Sequence, residues 1–259
     1  MKAITIAHVF PDLLNLYGDG GNVCCLQKRC AWRDLPVEVV PVLCGQEYDF
    51  AQADIVFLGG GPDREQQLAA EQLFTMRDSL KAYVENGGVL LAVCGGFQLL
   101  GKEWLLGSQS IKGLGIVDMR TQGIKGGEEA QMPKSGADRL VDDVVLDSVL
   151  SDQPVVGYEN HAGRTFLGEG LRPFGRVISS SGHGNNDTEK QDGVIYKHVL
   201  GTYLHGPLLA KNPQIADTLL RWAADVRLAK DEEGFTLKPL DDAIEQAANE
   251  YMIRRLGLR

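Results

Sequence analysis

Apolar residues fall into short unbroken runs in the first part of the chain. Ala3–Val9, Ile55–Leu58 and Val89–Val93 are nearly continuous Val, Ile, Leu and Ala, the pattern of strands buried on both faces. Val37–Val42 alternates apolar and polar positions and predicts a further strand. Between these runs, Asn22–Arg33 and the stretch from Asp63 toward Glu85 predict helices, the second closed by Asn86-Gly87-Gly88. Strand alternating with helix predicts an α/β fold with a mostly parallel central sheet flanked by helices.

The pattern changes after residue 110. Short strand-like runs at Gly115–Asp118, Val144–Leu146, Val155–Tyr158, Arg176–Ser179, Val194–Tyr196 and His198–Leu204 are separated by glycine-rich turns and predict antiparallel strands extending the sheet. Residues 121–138 read as a polar loop and 181–193 as a second turn-forming stretch. Pro213–Leu228 returns to helical spacing, with Ile215, Leu219, Leu220, Trp222 and Ala223 on one stripe. A last helix over 240–256 offers Ala243, Ile244, Ala247, Met252 and Ile253 as its apolar face, and Pro239 precedes it as the one plausible linker. This divides the chain into a domain over 1–230 and a C-terminal helical extension over 231–259.

Residues 87–101 stand out chemically. The run Val89–Val93 ends at Cys94, two glycines follow, and Phe97-Gln98-Leu99-Leu100 resumes with helix-compatible residues. A strand turning into a helix through Cys-Gly-Gly has the form of a nucleophile elbow. Glycine gives the turn room, and the Gly95 amide would point where an oxyanion forms. The helix start places a positive dipole end beneath the sulfur, which favours the reactive thiolate. A buried structural cysteine has the same local pattern. Gly59-Gly60-Gly61, after another strand, frees backbone amides to face a ligand, where a plain βα turn would need one glycine more readily than three.

Composition narrows the class. With 259 residues, 44% hydrophobic and 24% charged, the chain describes an ordinary globule. Its net charge of −9 argues against non-specific nucleic-acid binding or attachment to anionic membranes. No apolar run is long enough to span a bilayer, and the N-terminus does not read as a signal peptide. The five cysteines form no Cys-x-x-Cys pair, which suggests reduced thiols and a cytoplasmic location. Cys24, Cys25 and Cys30 read as packing residues in a helix.

A nucleophilic cysteine needs a base, and His8, His161, His183, His198 and His205 compete. His183 lies in a glycine-rich loop and His198 on a strand facing solvent. His205 ends the run Val199–Leu204 and precedes Gly206-Pro207, which is where a catalytic base would sit, although on these residues alone a strand-end histidine bonded to backbone is the more ordinary reading. Asp19, in the loop after the first strand, is a candidate site residue because that loop lies at the carboxyl edge of the sheet. Asp19 and Asn22 are also where helix caps are common.

Ala92-Val93-Cys94-Gly95-Gly96-Phe97-Gln98 resembles the Gly-x-Cys-x-Gly-x-Gln elbow of class I, triad-type glutamine amidotransferases, and the Gly59–Gly61 loop before Pro62 is similar to their oxyanion loop. Gly157–His161 and Gly201–Pro207 resemble the subgroup found in cobyrinate-type synthases. Leu14–Tyr17, Asp63–Gln66, Glu159–Thr165 and Gly184–Asp187 resemble stand-alone glutaminase subunits within it. The likeness spans roughly residues 3–220. It implies a flavodoxin-like sheet, Cys94 as nucleophile toward the side-chain amide of L-glutamine, and His205 as base and acid. It also implies Gly60, Gly61 and Gly95 amides around the oxyanion, each donor being worth ~3 kcal/mol. Arg139 takes the family position for the α-carboxylate, which a guanidinium can pair in bidentate fashion. Gln98 lies near the substrate. A surface ion pair for Arg139 and packing for Gln98 are the alternatives.

The same resemblance implies a partner, a MurT-type ATP-dependent Mur ligase. It would activate the α-carboxyl of D-glutamate in lipid II, and ammonia from this chain would convert that carboxyl to D-isoglutamine. ATP and magnesium belong on that partner and no cofactor on this chain, which has no Gly-x-x-x-x-Gly-Lys-Ser/Thr loop. The location expected is cytoplasmic, at the inner face of the membrane through the substrate complex. The sequence departs from the family at two points. Ala92 replaces a glycine, and Pro207 stands where a Glu normally follows the histidine by two residues. The missing acid could come from Glu159, Asp19 or the partner, and the partner is the expectation here. Alternatives for function are the glutaminase component of a cobyrinate-type amide synthase, a cysteine peptidase, or a non-catalytic module of the same fold.

Overall fold

The computed structural model describes residues 2–106, 109–123, 139–230 and 233–258. The apolar runs become neighbouring strands: β1 (Ile4–Val9), β2 (Val37–Val42), β3 (Ile55–Leu58) and β4 (Val89–Val93) pair in parallel in the order β2-β1-β3-β4. Every residue of β3 and β4 is buried, as their unbroken apolar character requires. Helices α1 (Gly20–Ala31), α2 (Asp63–Thr75), α3 (Arg77–Glu85) and α4 (Gly95–Leu99) fill the crossovers. The single helix expected from Asp63 to Glu85 is two, because Met76 leaves helical geometry (φ −104°, ψ 7°).

The antiparallel strands of the second half do not all extend this sheet. One hairpin joins it: β13 (Val194–Tyr196) pairs antiparallel with β14 (Val199–Thr202), and β14 lies parallel to β4. Its register sets Thr202 opposite Val93. Two further four-stranded sheets use the remaining strands. One holds β5 (Glu103–Leu106), β6 (Gln109–Lys112), β7 (Met119–Gln122) and β10 (Arg164–Leu167). The other holds β8 (Leu140–Asp147), β9 (Val155–His161), β11 (Gly175–Val177) and β12 (Gln191–Asp192). The expected strand at Gly115–Asp118 is a turn instead, in which the Ile116 and Val117 amides both donate to the Leu100 carbonyl. Of the predicted loop over 121–138, Thr121 and Gln122 belong to β7, and 124–138 lie outside the described residues.

The helix α5 (Pro213–Ala229) buries Ile215, Leu219, Leu220 and Ala223 against β3 and β4. The last helix, α6 (Ala243–Arg255), departs from its predicted face. Of the five residues expected inward only Ile253 is buried, against Val145 and Val156, while Ile244 is 84% exposed. Polar contacts hold this segment to the body instead. Asn249 donates from Nδ2 to the carbonyls of Pro154 and Lys211 and to Asn212 Oδ1. Buried Arg29 is bidentate to Asp217 and also pairs with Asp242, and Arg33 bridges Asp217 and the Lys238 carbonyl. Among the described residues no helix is long and apolar enough to cross a membrane.

Candidate active site

Cys94 caps the carboxyl end of β4 with φ 50° and ψ −109°, a backbone region that L residues avoid and that costs on the order of 1–3 kcal/mol. Hydrogen bonds on both sides hold it there: the Cys94 amide donates to the Thr202 carbonyl at 2.8 Å, and the Gln98 amide to the Cys94 carbonyl at 3.0 Å. Of the glycines after it, Gly96 is a steric necessity because backbone faces it, while Gly95 faces the end of a side chain. A Cβ on Gly96 would sit 2.6 Å from the Leu58 carbonyl oxygen, and one on Gly95 would sit 2.6 Å from Gln66 Cδ. The elbow can form because nothing projects at either position.

His205 arrives from beyond β14. Its backbone exchanges both hydrogen bonds with Tyr158 of β9 (2.8 and 3.3 Å), which fixes the imidazole at the same sheet edge as Cys94. Its Nδ1 lies 2.8 Å from Asp19 Oδ1, and both side chains are fully buried. The other carboxylate oxygen, Asp19 Oδ2, accepts from the Gly60 amide at 2.9 Å. His205 Nε2 has no hydrogen bond of full geometry, and the Cys94 side chain is its electrostatic neighbour. A Cβ on Gly60 would lie 3.1 Å from Cys94 Cβ, 3.3 Å from His205 Cε1 and 3.4 Å from Asp19 Oδ2, so all three groups close around this one glycine. Burial alone would lower the His205 pKa. The Cys94 sulfur and the Asp19 carboxylate outweigh it and hold the imidazole well above its ordinary value, near 10. A charged imidazolium facing sulfur is the state a proton donor to a leaving amine requires.

A carboxylate that meets His205 is thus present in this chain, at Asp19, where the expectation was an acid from a partner. Helix capping does not describe it, since the Asp19 side chain makes no cap bond to α1. Glu159 is engaged elsewhere, accepting from the amides of His183 (2.8 Å) and Gly184 (2.7 Å) and lying 3.1 Å from His183 Nδ1. Gly60 is corrected in the same way: its amide is turned to Asp19 and is not available to an oxyanion. The amides of Gly61 and Gly95 have no acceptor among the described residues.

A pocket of about 470 Å³ opens over Cys94, lined among others by Tyr17, Gln66, Gln98, Arg139 and Asn160. The size suits an amino acid. Arg139 donates from Nε to Asn160 Oδ1 and from Nη2 to the Asn160 carbonyl, both at 2.8 Å. Gln98 is buried in the wall and donates to the Tyr203 hydroxyl at 3.0 Å. The remaining histidines are accounted for. His161 lies in the pocket wall, stacked on Tyr203 at 3.5 Å, and His8 packs edge-on to Phe57. His198 binds the Gly87 carbonyl and stacks on Trp222. A larger cavity of about 750 Å³, lined by Asp49, Tyr83, His198 and Asp225, contains none of the predicted catalytic residues.

Sequence reasoning gave no role to Tyr17, Gln66 or Asn160, all of which line the pocket. Their signal was that each lies in a segment resembling the family, Leu14–Tyr17, Asp63–Gln66 and Glu159–Thr165, with nothing in those segments to single out the residue itself.

The CobB/CobQ-like glutamine amidotransferase domain matches residues 5–213. The GatD subunit of lipid II isoglutaminyl synthase (glutamine-hydrolyzing) from Staphylococcus aureus is 39% identical over 258 residues, covering 98% of this chain and 97% of that one. The corresponding subunit from Streptococcus pneumoniae is 35% identical, with 96% and 90% covered. Cobyric acid synthase from Listeria innocua is 31% identical over 61% of this chain, but only 29% of that longer protein. A crystal structure of a glutamine amidotransferase superposes with a TM-score of 0.51 at 18% identity, covering 84% of this chain and 98% of that one, a likeness of fold. With a domain match over most of its length and near full-length relatives of one kind, the chain belongs to the CobB/CobQ-like glutamine amidotransferase family, among its GatD subunits.

Proposed function

We propose that this chain is the glutaminase subunit of a lipid II isoglutaminyl synthase and that Cys94, His205 and Asp19 are its catalytic triad. The observation that carries the reading is the buried line from Gly60 through Asp19 to His205, ending at the sulfur of a strained elbow. The Cys94 sulfur attacks the side-chain carbonyl carbon of L-glutamine, and the carbonyl electrons move to oxygen. The Gly61 and Gly95 amides meet that oxygen. Collapse of the tetrahedral intermediate breaks the C–N bond, and the His205 imidazolium gives its proton to the departing ammonia, leaving a thioester. Water, deprotonated by neutral His205, then releases glutamate and restores the thiol. Asp19 holds the imidazole in the required tautomer, as the acid of a triad does. Arg139 pairs with the substrate α-carboxylate and Gln98 supports the pocket wall.

The ammonia goes to a MurT-type ligase subunit, which holds ATP and magnesium and activates the α-carboxyl of D-glutamate in lipid II. The near full-length likeness to GatD subunits supports this acceptor over a cobyrinate-type one, whose relatives carry the matching region within a much longer chain. The assembled triad favours catalysis over a non-catalytic module. The test is twofold. Ammonium release from L-glutamine must be present in the wild-type chain and absent in Cys94→Ala. Addition of a MurT-type subunit, ATP and lipid II must yield amidated lipid II in a glutamine-dependent way. Ammonium release that persists in Cys94→Ala overturns the mechanism.

A further inference from the structure

Tyr17 stands at the pocket mouth with a left-handed backbone (φ 54°, ψ 22°). Its ring presents an edge to His205, centroids 4.9 Å apart, and a second edge contact reaches Tyr158 at 6.1 Å. Its hydroxyl accepts from Asn160 Nδ2 at 2.5 Å. The orientation of that amide follows from chemistry. A guanidinium can only donate, so Asn160 Oδ1 faces Arg139 Nε, and Nδ2 faces Tyr17. Having accepted from Asn160, the Tyr17 oxygen still carries its own hydrogen, which no group among the described residues accepts. Partial burial holds the phenol above its ordinary pKa, with Arg139 opposing and Tyr158 and Cys94 reinforcing, so it stays protonated at neutral pH.

We propose that the Tyr17 hydroxyl is a second donor to the substrate's α-carboxylate, set beside Arg139 by Asn160, and that its ring shields His205 from water. This rests on the glutaminase reading above and adds to it a residue for recognition. One side-chain amide aligns both donors, so charge recognition at one end of the substrate is built against the base acting at the other. An amide lacking the carboxylate would leave both donors unused and gain nothing from either.

The experiment measures ammonium release by the full chain from L-glutamine and from 4-aminobutanamide, in which hydrogen replaces the α-carboxylate and leaves no acceptor there. Tyr17→Phe keeps the ring on His205 and removes only the donor. It is expected to raise KM for L-glutamine about tenfold, the scale of one hydrogen bond to a charge, with kcat within about twofold. For 4-aminobutanamide, kcat/KM should not change. Asn160→Ala, which releases both donors, should raise KM for L-glutamine further. An unchanged KM for L-glutamine in Tyr17→Phe overturns the proposal, and so does an equal loss on both substrates, the mark of a merely structural role. Absence of Cys94-dependent release in the wild type would instead sink the glutaminase reading itself.

Discussion

Asp19 Oδ1 lies 2.8 Å from His205 Nδ1, across a sequence separation of 186 residues, and the same carboxylate takes the Gly60 amide on its other oxygen. One side chain thus orients the base and bends the glycine loop. Asp19→Asn should present an amide where a carboxylate belongs and disturb both. We expect kcat for ammonium release to fall by about 10⁴, the scale seen when a triad acid becomes an amide. The isolated wild-type chain should turn over glutamine unaided. A rate in Asp19→Asn within twofold of wild type would remove Asp19 from the triad.

Gly96→Ala tests the elbow. The added methyl would meet the backbone oxygens of Leu58 and Gly59 at 2.6 and 2.7 Å, and neither can swing away as a flexible side chain would. Overpacking of this kind costs about 1–3 kcal/mol, and relief requires Cys94 to move. Thermal unfolding should register the cost, and alkylation of Cys94 by a glutamine-like chloroketone should slow sharply. Unaltered labelling would show that the turn tolerates a side chain.

Asp192 gives a pH prediction with a definite sign. Burial raises its pKa from 3.8 to about 7, opposed by hydrogen bonds from the Thr202 hydroxyl and the Tyr203 amide. The folded state therefore holds a proton that the unfolded chain has lost. The contribution of this group is complete below the unfolded value and is lost as pH rises through the folded one. Relative to Asp192→Asn, the wild type should lose on the order of 2–4 kcal/mol between about pH 4 and about pH 8, read from denaturant unfolding. Parallel profiles for the two proteins would contradict it.

Arg29→Ala should free the C-terminal segment. Arg29 is 1% exposed and holds Asp217 of α5 and Asp242 ahead of α6, so its loss leaves two half-buried carboxylates without that partner. Removal of one member of such a buried group costs about 3–5 kcal/mol. Amide exchange in residues 233–258 should accelerate well before the sheet opens. Equal protection in mutant and wild type would mean that Asn249 and Ile253 suffice to hold α6.

How much of this was legible in the sequence depends on range. The strands Ile55–Leu58 and Val89–Val93 were readable to the residue, because strands buried on both faces must be apolar throughout, and Val37–Val42, mostly half-buried or exposed, was readable from its alternation. Strands such as Glu103–Leu106 and Arg164–Leu167 were not, since four residues are too few for a period to show. The face of α6 was misread because its anchorage is Asn249 and a neighbouring ion-pair cluster, which apolar spacing does not reveal. Within the site, Cys94 and the glycines carried local turn chemistry, and His205 a strand-end position. The match of Asp19 to His205 showed only as a loop position at the carboxyl edge of the sheet, which made Asp19 one of three candidates for the acid and did not single it out. Only the parallel order of β1, β3, β4 and β14 brings the loop after β1 to the histidine.

The placement of β14 beside β4 has a consequence for biosynthesis. The nucleophile's strand is translated early, whereas the strand that supplies the acceptor for its amide and leads to the imidazole comes late in the chain. A nascent polypeptide still threaded through the ribosome at residue 205 has a sulfur without a base. Glutamine in the surrounding cell is thus safe from half-made copies, and activity cannot start before the chain through His205 has emerged.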